Sequence, residues 1–398
     1  MSPPLLTRLV RAALAVALTT AFALVAAGAP AQAAALSRVS SFGSNPGNLL
    51  MYAYRPDNLP SGAPLVVALH GCTQSANDYY ANSGWRKYAD QWGFALVFPE
   101  QQQANNSSRC FNWFETADTG RGQGEVASIR SMVGYAVNNY GVDPTRVYVT
   151  GLSAGGAMTS ALLAAYPDVF AGGSVVAGVP YRCATSMTSA FTCMSPGVDK
   201  TPAQWGDLVR NAYPGYAGPR PRVAIWHGTS DYTVATMNAR ESRDQWTNVL
   251  GVSTTPTGTA SLPAGTTLEK YGDDVVRLYL VSGMGHGTPV DPGGAADQCG
   301  TAAAYFLDTI CSAYLDARFF GLDGTGGGDP TDPGDPTDPD PDPVCVTASN
   351  YTHVQEGRAY HSLGYAYARG SDQLMGLYNT FYTTTLRQTG PDHWVIGC

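Results

Sequence analysis

Six short apolar runs, separated by helix-sized stretches, set the fold class. They are LVVALH (65–70), FALVFP (94–99), VYVT (147–150), VVAGV (175–179), RVAIWH (222–227) and VVRLYLV (275–281). Several are unbroken blocks rather than alternations, which suits strands covered on both faces. Helical stretches fall between and after them, near 76–91, 124–139, 154–166, 236–249 and 302–317. Strands alternating with helices predict an α/β domain whose central sheet is mainly parallel, with right-handed crossovers. Residues 37–55 read as an antiparallel edge. The stretch 181–221 breaks the rhythm, with Cys183, Cys193 and the helix-like TPAQWGDLVRNAYP. So long an excursion is usually functional. It reads either as a partial cap beside a site or as a structural insertion.

The two ends of the chain are different in kind. Arg8 and Arg11 precede an uncharged apolar run from Ala12 to Ala27, followed by the small-residue signature Ala31-Gln32-Ala33. The run is short for a membrane span, and residues 1–33 read as a secretory signal peptide. An extracellular protein is therefore expected, with no membrane association after cleavage. Loss of the two arginines takes the net charge from −8 to −10. Charged residues are only 14% of the chain and no basic run occurs, so nucleic acid is not an expected partner. Asp329 to Pro343 reads DPTDPGDPTDPDPDP, six Asp and six Pro in 15 residues. Proline stiffness and like-charge repulsion predict an extended spacer. The chain thus divides into a body at 34–322, a linker at 323–344 and a C-terminal module at 345–398.

Eight cysteines, Cys72, Cys110, Cys183, Cys193, Cys299, Cys311, Cys345 and Cys398, accompany the secretory leader. Four disulfides are expected. Of the possible pairings, nearest neighbours in order is the preferred set, with Cys345–Cys398 stapling the small module. No CxxC pair occurs, so a zinc site is not expected.

The chemistry-bearing motif is Gly151-Leu152-Ser153-Ala154-Gly155, after the strand VYVT and before a helix of small residues. That context defines a nucleophile elbow, with the serine hydroxyl raised above the sheet on a tight turn. A serine needs a base to take its proton. The histidines are His70, His227, His286, His353, His361 and His393. In the α/β-hydrolase order, acid and then histidine follow the serine, which leaves His227 and His286. His286 lies in the Gly-rich loop GMGHGTPV after the last strand and is the expected base. Asp231, in the loop after RVAIWH, is the expected acid; Asp291 and Asp297 are in the wrong place for this topology. Asp143 and Asp168 read as turn residues, the former paired with Arg146. The oxyanion hole needs two backbone N–H donors, expected from Ala154 and Cys72. Cys72 could serve as a thiol, but a bond to Cys110 fits better and would fasten its loop to CFNWF. His70 reads as a buried support for that loop.

Together these residues resemble the extracellular poly(3-hydroxybutyrate) depolymerases and their esterase relatives. The phrases FGSNPGNLLMYAYRP, LVVALHGCTQSANDY, GVDPTRVYVTGLSAGGAMTSALLAAYPDVFAGGSVVAGVPY, WHGTSDYTV and GMGHGTPVDPG carry the likeness. The third is shared with feruloyl and acetylxylan esterases. The resemblance implies an α/β-hydrolase fold and a secreted serine esterase with Ser153, Asp231 and His286 as triad. An insoluble polyester is the implied substrate and partner. No metal or organic cofactor is called for, and a monomer is expected. The tail is similar to polymer-binding modules of such depolymerases, although many of those enzymes carry a longer linker domain. Its eight aromatics, Tyr351, Tyr360, Tyr365, Tyr367, Tyr378, Phe381, Tyr382 and Trp394, must divide between a thin core and an adsorbing surface. Two other readings remain open: a feruloyl or acetylxylan esterase with a carbohydrate-binding tail, and an inactive adhesive protein.

Overall fold

A computed structural model describes residues 34–324, 345–362, 364–390 and 393–397. The expected leader, nearly all of the linker and Cys398 lie outside the described residues. The body opens with β1 (Ser37–Val39) and β2 (Leu50–Tyr54), paired antiparallel as expected. After β3 (Leu65–Leu69), two helices, α1 (Ala76–Asn82) and α2 (Trp85–Trp92), replace the single one expected at 76–91. The break falls at Gly84, with φ +86° and an imagined Cβ only 2.4 Å from Cys299 Sγ. Both the left-handed backbone and the packed sulfur demand glycine there.

There follow β4 (Ala95–Glu100), α3 (Thr116–Thr119), α4 (Gly124–Tyr140), β5 (Val147–Leu152), α5 (Ala154–Ala165) and β6 (Gly172–Val176). The expected strand at 175–179 is thus displaced toward the N-terminus, ending where Ala177 takes φ 45°. The long excursion holds α6 (Met187–Met194) and α7 (Pro202–Arg210), each opened by a capping box. Next are β7 (Arg222–Gly228), α8 (Met237–Leu250), an unforeseen hairpin of β8 (Gly258–Leu262) and β9 (Thr266–Tyr271), and β10 (Val276–Val281). Then come β11 (Thr288–Val290), β12 (Phe306–Asp308) and α9 (Ser312–Phe319). The helix expected over 302–317 is therefore only its second half. In the first half a turn leads into β12, which pairs in parallel with β11, and Cys311, bonded to Cys299, caps α9.

The sheet order is β1-β2-β4-β3-β5-β6-β7-β10-β9-β8. Strands β4, β3, β5, β6, β7 and β10 run parallel, with antiparallel pairs at both edges. The unbroken apolar runs now have their reason. Leu65, Val67, Leu69, Val149 and Ile225 join a core that includes side chains of α4 and α5. Val66, Ala68, Leu96, Phe98 and Trp226 join another that includes side chains of α1, α2 and α9. Each large apolar side chain taken wholly out of water contributes about 1.5–3 kcal/mol, so both faces of these strands must be apolar. The disulfides Cys72–Cys110, Cys183–Cys193 and Cys299–Cys311 are the expected ones. The expected partner of Cys345 lies outside the described residues.

Beyond residue 344 come β13 (Cys345–Ser349), α10 (Asn350–Gln355), β14 (Ala359–Ser362), β15 (Tyr365–Ala368), β16 (Leu374–Leu377), β17 (Thr383–Gly390) and β18 (His393–Ile396). They form two antiparallel sheets, β13-β17-β18 and β14-β15-β16. Ala359, Ala366, Ala368, Met375, Leu386 and Trp394 make a small core. Tyr351, Tyr360, Tyr365, Phe381 and Tyr382 stand exposed, while Tyr367 and Tyr378 are half-buried.

Candidate active site

Ser153 sits between β5 and α5 with φ 57° and ψ −115°, a strained conformation for a residue with a side chain. Its surroundings hold it there. Ser153 N donates to Val176 O at 2.9 Å, and Ser153 O accepts from Ala157 N at 2.8 Å. A Cβ on Gly151 would lie 2.5 Å from Gly155 O, and one on Gly155 would lie 2.5 Å from Leu69 O. The two glycines of the motif are therefore fixed by close backbone approach on either side of the serine.

Asp231 comes from the loop after β7 and His286 from the loop after β10. These loops are laced together. Ser230 N donates to Met284 O at 3.0 Å, and Gly283 N donates to Thr229 Oγ1 at 2.8 Å. The structure brings all three expected side chains to the carboxyl ends of the parallel strands. His286 Nε2 lies 2.9 Å from Ser153 Oγ, and His286 Nδ1 lies 2.7 Å from Asp231 Oδ2. The other oxygen of Asp231 accepts from the amides of Thr233 and Val234, both at 2.9 Å. Burial raises the Asp231 pKa, but the His286 hydrogen bond and charge, the Val234 amide and His227 outweigh it. The carboxyl is thus held below its ordinary value and ionised at neutral pH.

His227, the competing base, lies against Asp231 rather than Ser153. Its Nε2 donates to Val234 O at 2.8 Å and is 3.5 Å from Asp231 Oδ2. Burial pushes its pKa down, so it stays neutral and braces the acid loop. Asp291 forms a backbone bridge with Cys299 and is not among the residues lining the Ser153 cavity. Asp143 caps its turn through Thr145, while the Arg146 guanidinium reaches Gly321 O at 3.4 Å. Asp168 does more than turn the chain: it takes two 2.7 Å hydrogen bonds from Arg121.

On the other side of Ser153 lies the loop after β3. Gly71 N donates to Gln74 Oε1 at 2.8 Å, Thr73 N to Ser108 O at 2.6 Å, and Gln74 N to Gly71 O at 3.3 Å. Ala154 opens α5, so its N–H is among the first-turn donors that have no acceptor within the helix. His70 is buried as expected. Its Nδ1 lies 2.7 Å from Gly71 O and its Nε2 accepts from Gln101 N at 3.1 Å. Burial holds its pKa down to about 4, so it is neutral at neutral pH.

Gln101 continues this support to Cys110 O at 3.1 Å and to the buried Glu125 carboxyl, which also accepts from Asn112 N at 2.9 Å. Burial, helped by the nearby Asp118 charge and opposed by hydrogen bonds from Asn112 and Gln101, pushes Glu125 up to about 8. Between its ordinary value and about 8, the folded chain holds a proton that the unfolded chain has released. Glu125 therefore makes stability fall as pH rises through that window. Glu125→Gln should remove this part of the slope, raising the midpoint at pH 8 relative to pH 5 by several degrees against the parent, read by thermal melts. An unchanged slope would contradict the protonated state.

A cavity of about 240 Å³ opens over Ser153 and His286, lined by Cys72, Gln74, Leu152, Met194, Thr233 and Tyr305 among others. Met194 comes from the excursion, so that segment does reach the site. Thr233 could have been expected from its nearness to Asp231. Met194 and Tyr305 could not, because α6 and β12 bring them there.

The family described as Esterase PHB depolymerase matches residues 51–271, over half of the chain. The chain belongs to that family. The chain is 56% identical over 294 residues to poly(3-hydroxyalkanoate) depolymerase C of Paucimonas lemoignei, covering 73% of this chain and 71% of that one. It is 43% identical over 274 residues to an acetylxylan esterase of Coprinopsis cinerea, covering 66% and 73%. Among solved structures, the acetyl xylan esterase from Aspergillus awamori superposes with a TM-score of 0.63 at 31% identity, over 72% of this chain and 99% of that one. The family match contains Ser153 and Asp231, while His286 lies beyond its end.

Proposed function

We propose that this family member is a secreted serine esterase that hydrolyses poly(3-hydroxybutyrate) or a similar short-chain polyhydroxyalkanoate through an acyl-enzyme. The unbroken path from Ser153 Oγ through the His286 ring to Asp231 carries the reading. Ser153 Oγ attacks the ester carbonyl as His286 Nε2 takes its proton. Asp231 holds the Nδ1–H tautomer and stabilises the imidazolium. The N–H groups of Cys72 and Ala154 receive the oxyanion. Support for Cys72 comes from its neighbours, since the amides of Gly71, Thr73 and Gln74 all have acceptors within the protein. His286 returns the proton to the leaving alkoxide, and water, deprotonated by His286, then releases the acyl group.

The 56% identity to a polyhydroxyalkanoate depolymerase, against 43% to an acetylxylan esterase, favours the polyester over plant-polymer esters. Residues 34–322 would be the catalytic domain and 323–344 the linker. Residues 345–398 would be a polymer-binding module that keeps the enzyme at the particle. Its five exposed aromatic rings support that role. The three disulfides between described residues suit an oxidising compartment, and no helix among the described residues is long and apolar enough to cross a membrane.

One assay tests the reading. The full chain and a chain ending at residue 324 are offered poly(3-hydroxybutyrate) film, a dissolved short-chain ester and feruloylated xylan. The expected result is film erosion by the full chain, about tenfold slower erosion by the truncated one, similar rates on the dissolved ester, and no ferulate release. Ferulate release without film erosion would contradict it.

A further inference from the structure

Within residues 34–324, the large apolar side chains left exposed are Met187 (48%), Phe191 (62%), Tyr232 (90%) and Tyr305 (46%). All four belong to segments at the mouth of the Ser153 cavity. Tyr305 lines the cavity and stands edge-on to His286 at 6.3 Å between ring centroids. Tyr232 lies between the acid Asp231 and the cavity-lining Thr233. Met187 and Phe191 lie on α6, whose last residue, Met194, lines the cavity.

The wheel of α6 makes the exposure informative. Ala190 and Cys193 face the core, where they pack with Phe114, Ala157 and Val234. Thr188, Ser189 and Thr192 cluster on a polar side. Positions 194, 187 and 191, spaced three and four, continue that apolar face to an outer edge, with Met194 packed against the core and lining the cavity. The apolar arc is thus wider than the part the core buries, and its outer edge, Met187 and Phe191, faces water. The stripe is rigidly held. The Cys183–Cys193 bond staples α6. Asn238 Nδ2 donates to Cys193 O at 3.0 Å and Met194 O at 3.2 Å, and Ala235 N donates to Met194 O at 2.8 Å. The bond from Ala235 ties the stripe to the loop that carries Asp231 and Tyr232.

We infer that Met187, Phe191, Tyr232 and Tyr305 form a second substrate-contact face, on the catalytic body itself, which seats the apolar surface of a solid aliphatic polyester around the Ser153 crevice. The inference rests on the polyester reading above. Two phenol rings, a phenyl ring and a thioether, none of them charged, match a surface of methyl and methylene groups broken by ester carbonyls. Continuity with the cavity gives the face its purpose: a chain lying on it needs to shift only a short way to bring an ester to Ser153. A dissolved small ester fits the cavity, whose lining does not include Phe191 or Tyr232, so these two side chains distinguish solid from soluble substrate.

The test uses the full chain with Phe191→Ser, Tyr232→Ser and both together, with thermal melts to verify folding. The ratio of poly(3-hydroxybutyrate) film erosion to dissolved-ester turnover should fall about tenfold in the double variant, with a smaller fall in each single one. In a Ser153→Ala background, the double substitution should also weaken equilibrium adsorption to film. A ratio within about twofold of the parent, with the parent eroding film normally, overturns this face alone. A parent that erodes no film overturns the polyester reading and the face with it. A parent that sediments as a dimer, and that Phe191→Ser converts to monomer, assigns the face to a second copy and overturns the proposal.

Discussion

Ser153→Ala should lower turnover of a dissolved short-chain ester by on the order of 10⁵ or more. The methyl group cannot form the acyl-enzyme, and among the described residues Ser153 Oγ is the side-chain partner of His286 Nε2. Little else should change. The elbow is held by backbone contacts, Ser153 N to Val176 O and Ala157 N to Ser153 O, and alanine keeps both. Thermal stability should therefore stay close to the parent's. Adsorption to polymer film should also persist, because neither the exposed rings of residues 351–382 nor those around the cavity are touched. Steady-state assays on a dissolved ester, paired with a film-binding isotherm, separate the two effects. Retained turnover would remove Ser153 from the mechanism.

Asp231→Asn is expected to cost on the order of 10⁴ in kcat with KM little changed. The reason lies in the hydrogen bonds around the carboxylate. One oxygen already accepts from the Thr233 and Val234 amides, so an asparagine would keep its carbonyl there and turn its NH₂ toward His286. The imidazole would then accept at Nδ1 and carry its proton on Nε2, facing a serine hydroxyl whose proton it can no longer take. The substitution is nearly isosteric and leaves the cavity lining intact, which is why the loss belongs in kcat. His227 does not rescue it, since its ring faces Val234 and the acid rather than the serine. A fall in kcat of tenfold or less would mean that Asp231 does not set the tautomer.

Much of this site was legible in the linear chain because each element was constrained by more than one requirement. Gly151 and Gly155 announced the elbow, and the contacts their absent side chains would make explain why. His286 was separable from His227 because a loop after the last parallel strand can reach over the serine, while a residue inside β7 points into the sheet's neighbourhood. The fold class followed from the apolar runs, whose two-faced burial the sheet accounts for. The misreadings have local causes. Residues 302–311 are rich in helix-compatible side chains, yet a turn with Tyr305 at φ 65°, the pairing of β12 with β11 and the Cys299–Cys311 bond keep them out of a helix. The same bond, pressed against Gly84, splits the helix expected at 76–91. Met194 and Tyr305 reached the cavity through those tertiary arrangements, and no spacing in the sequence encodes them.

The most direct test of the account is covalent. The full chain is treated with a fluorophosphonate ester, digested and analysed by mass spectrometry. One adduct on the peptide containing Ser153 is expected, forming in step with loss of activity and much more slowly in Asp231→Asn. Complete inactivation with the label on another residue, or full activity in a chain labelled at Ser153, would contradict it.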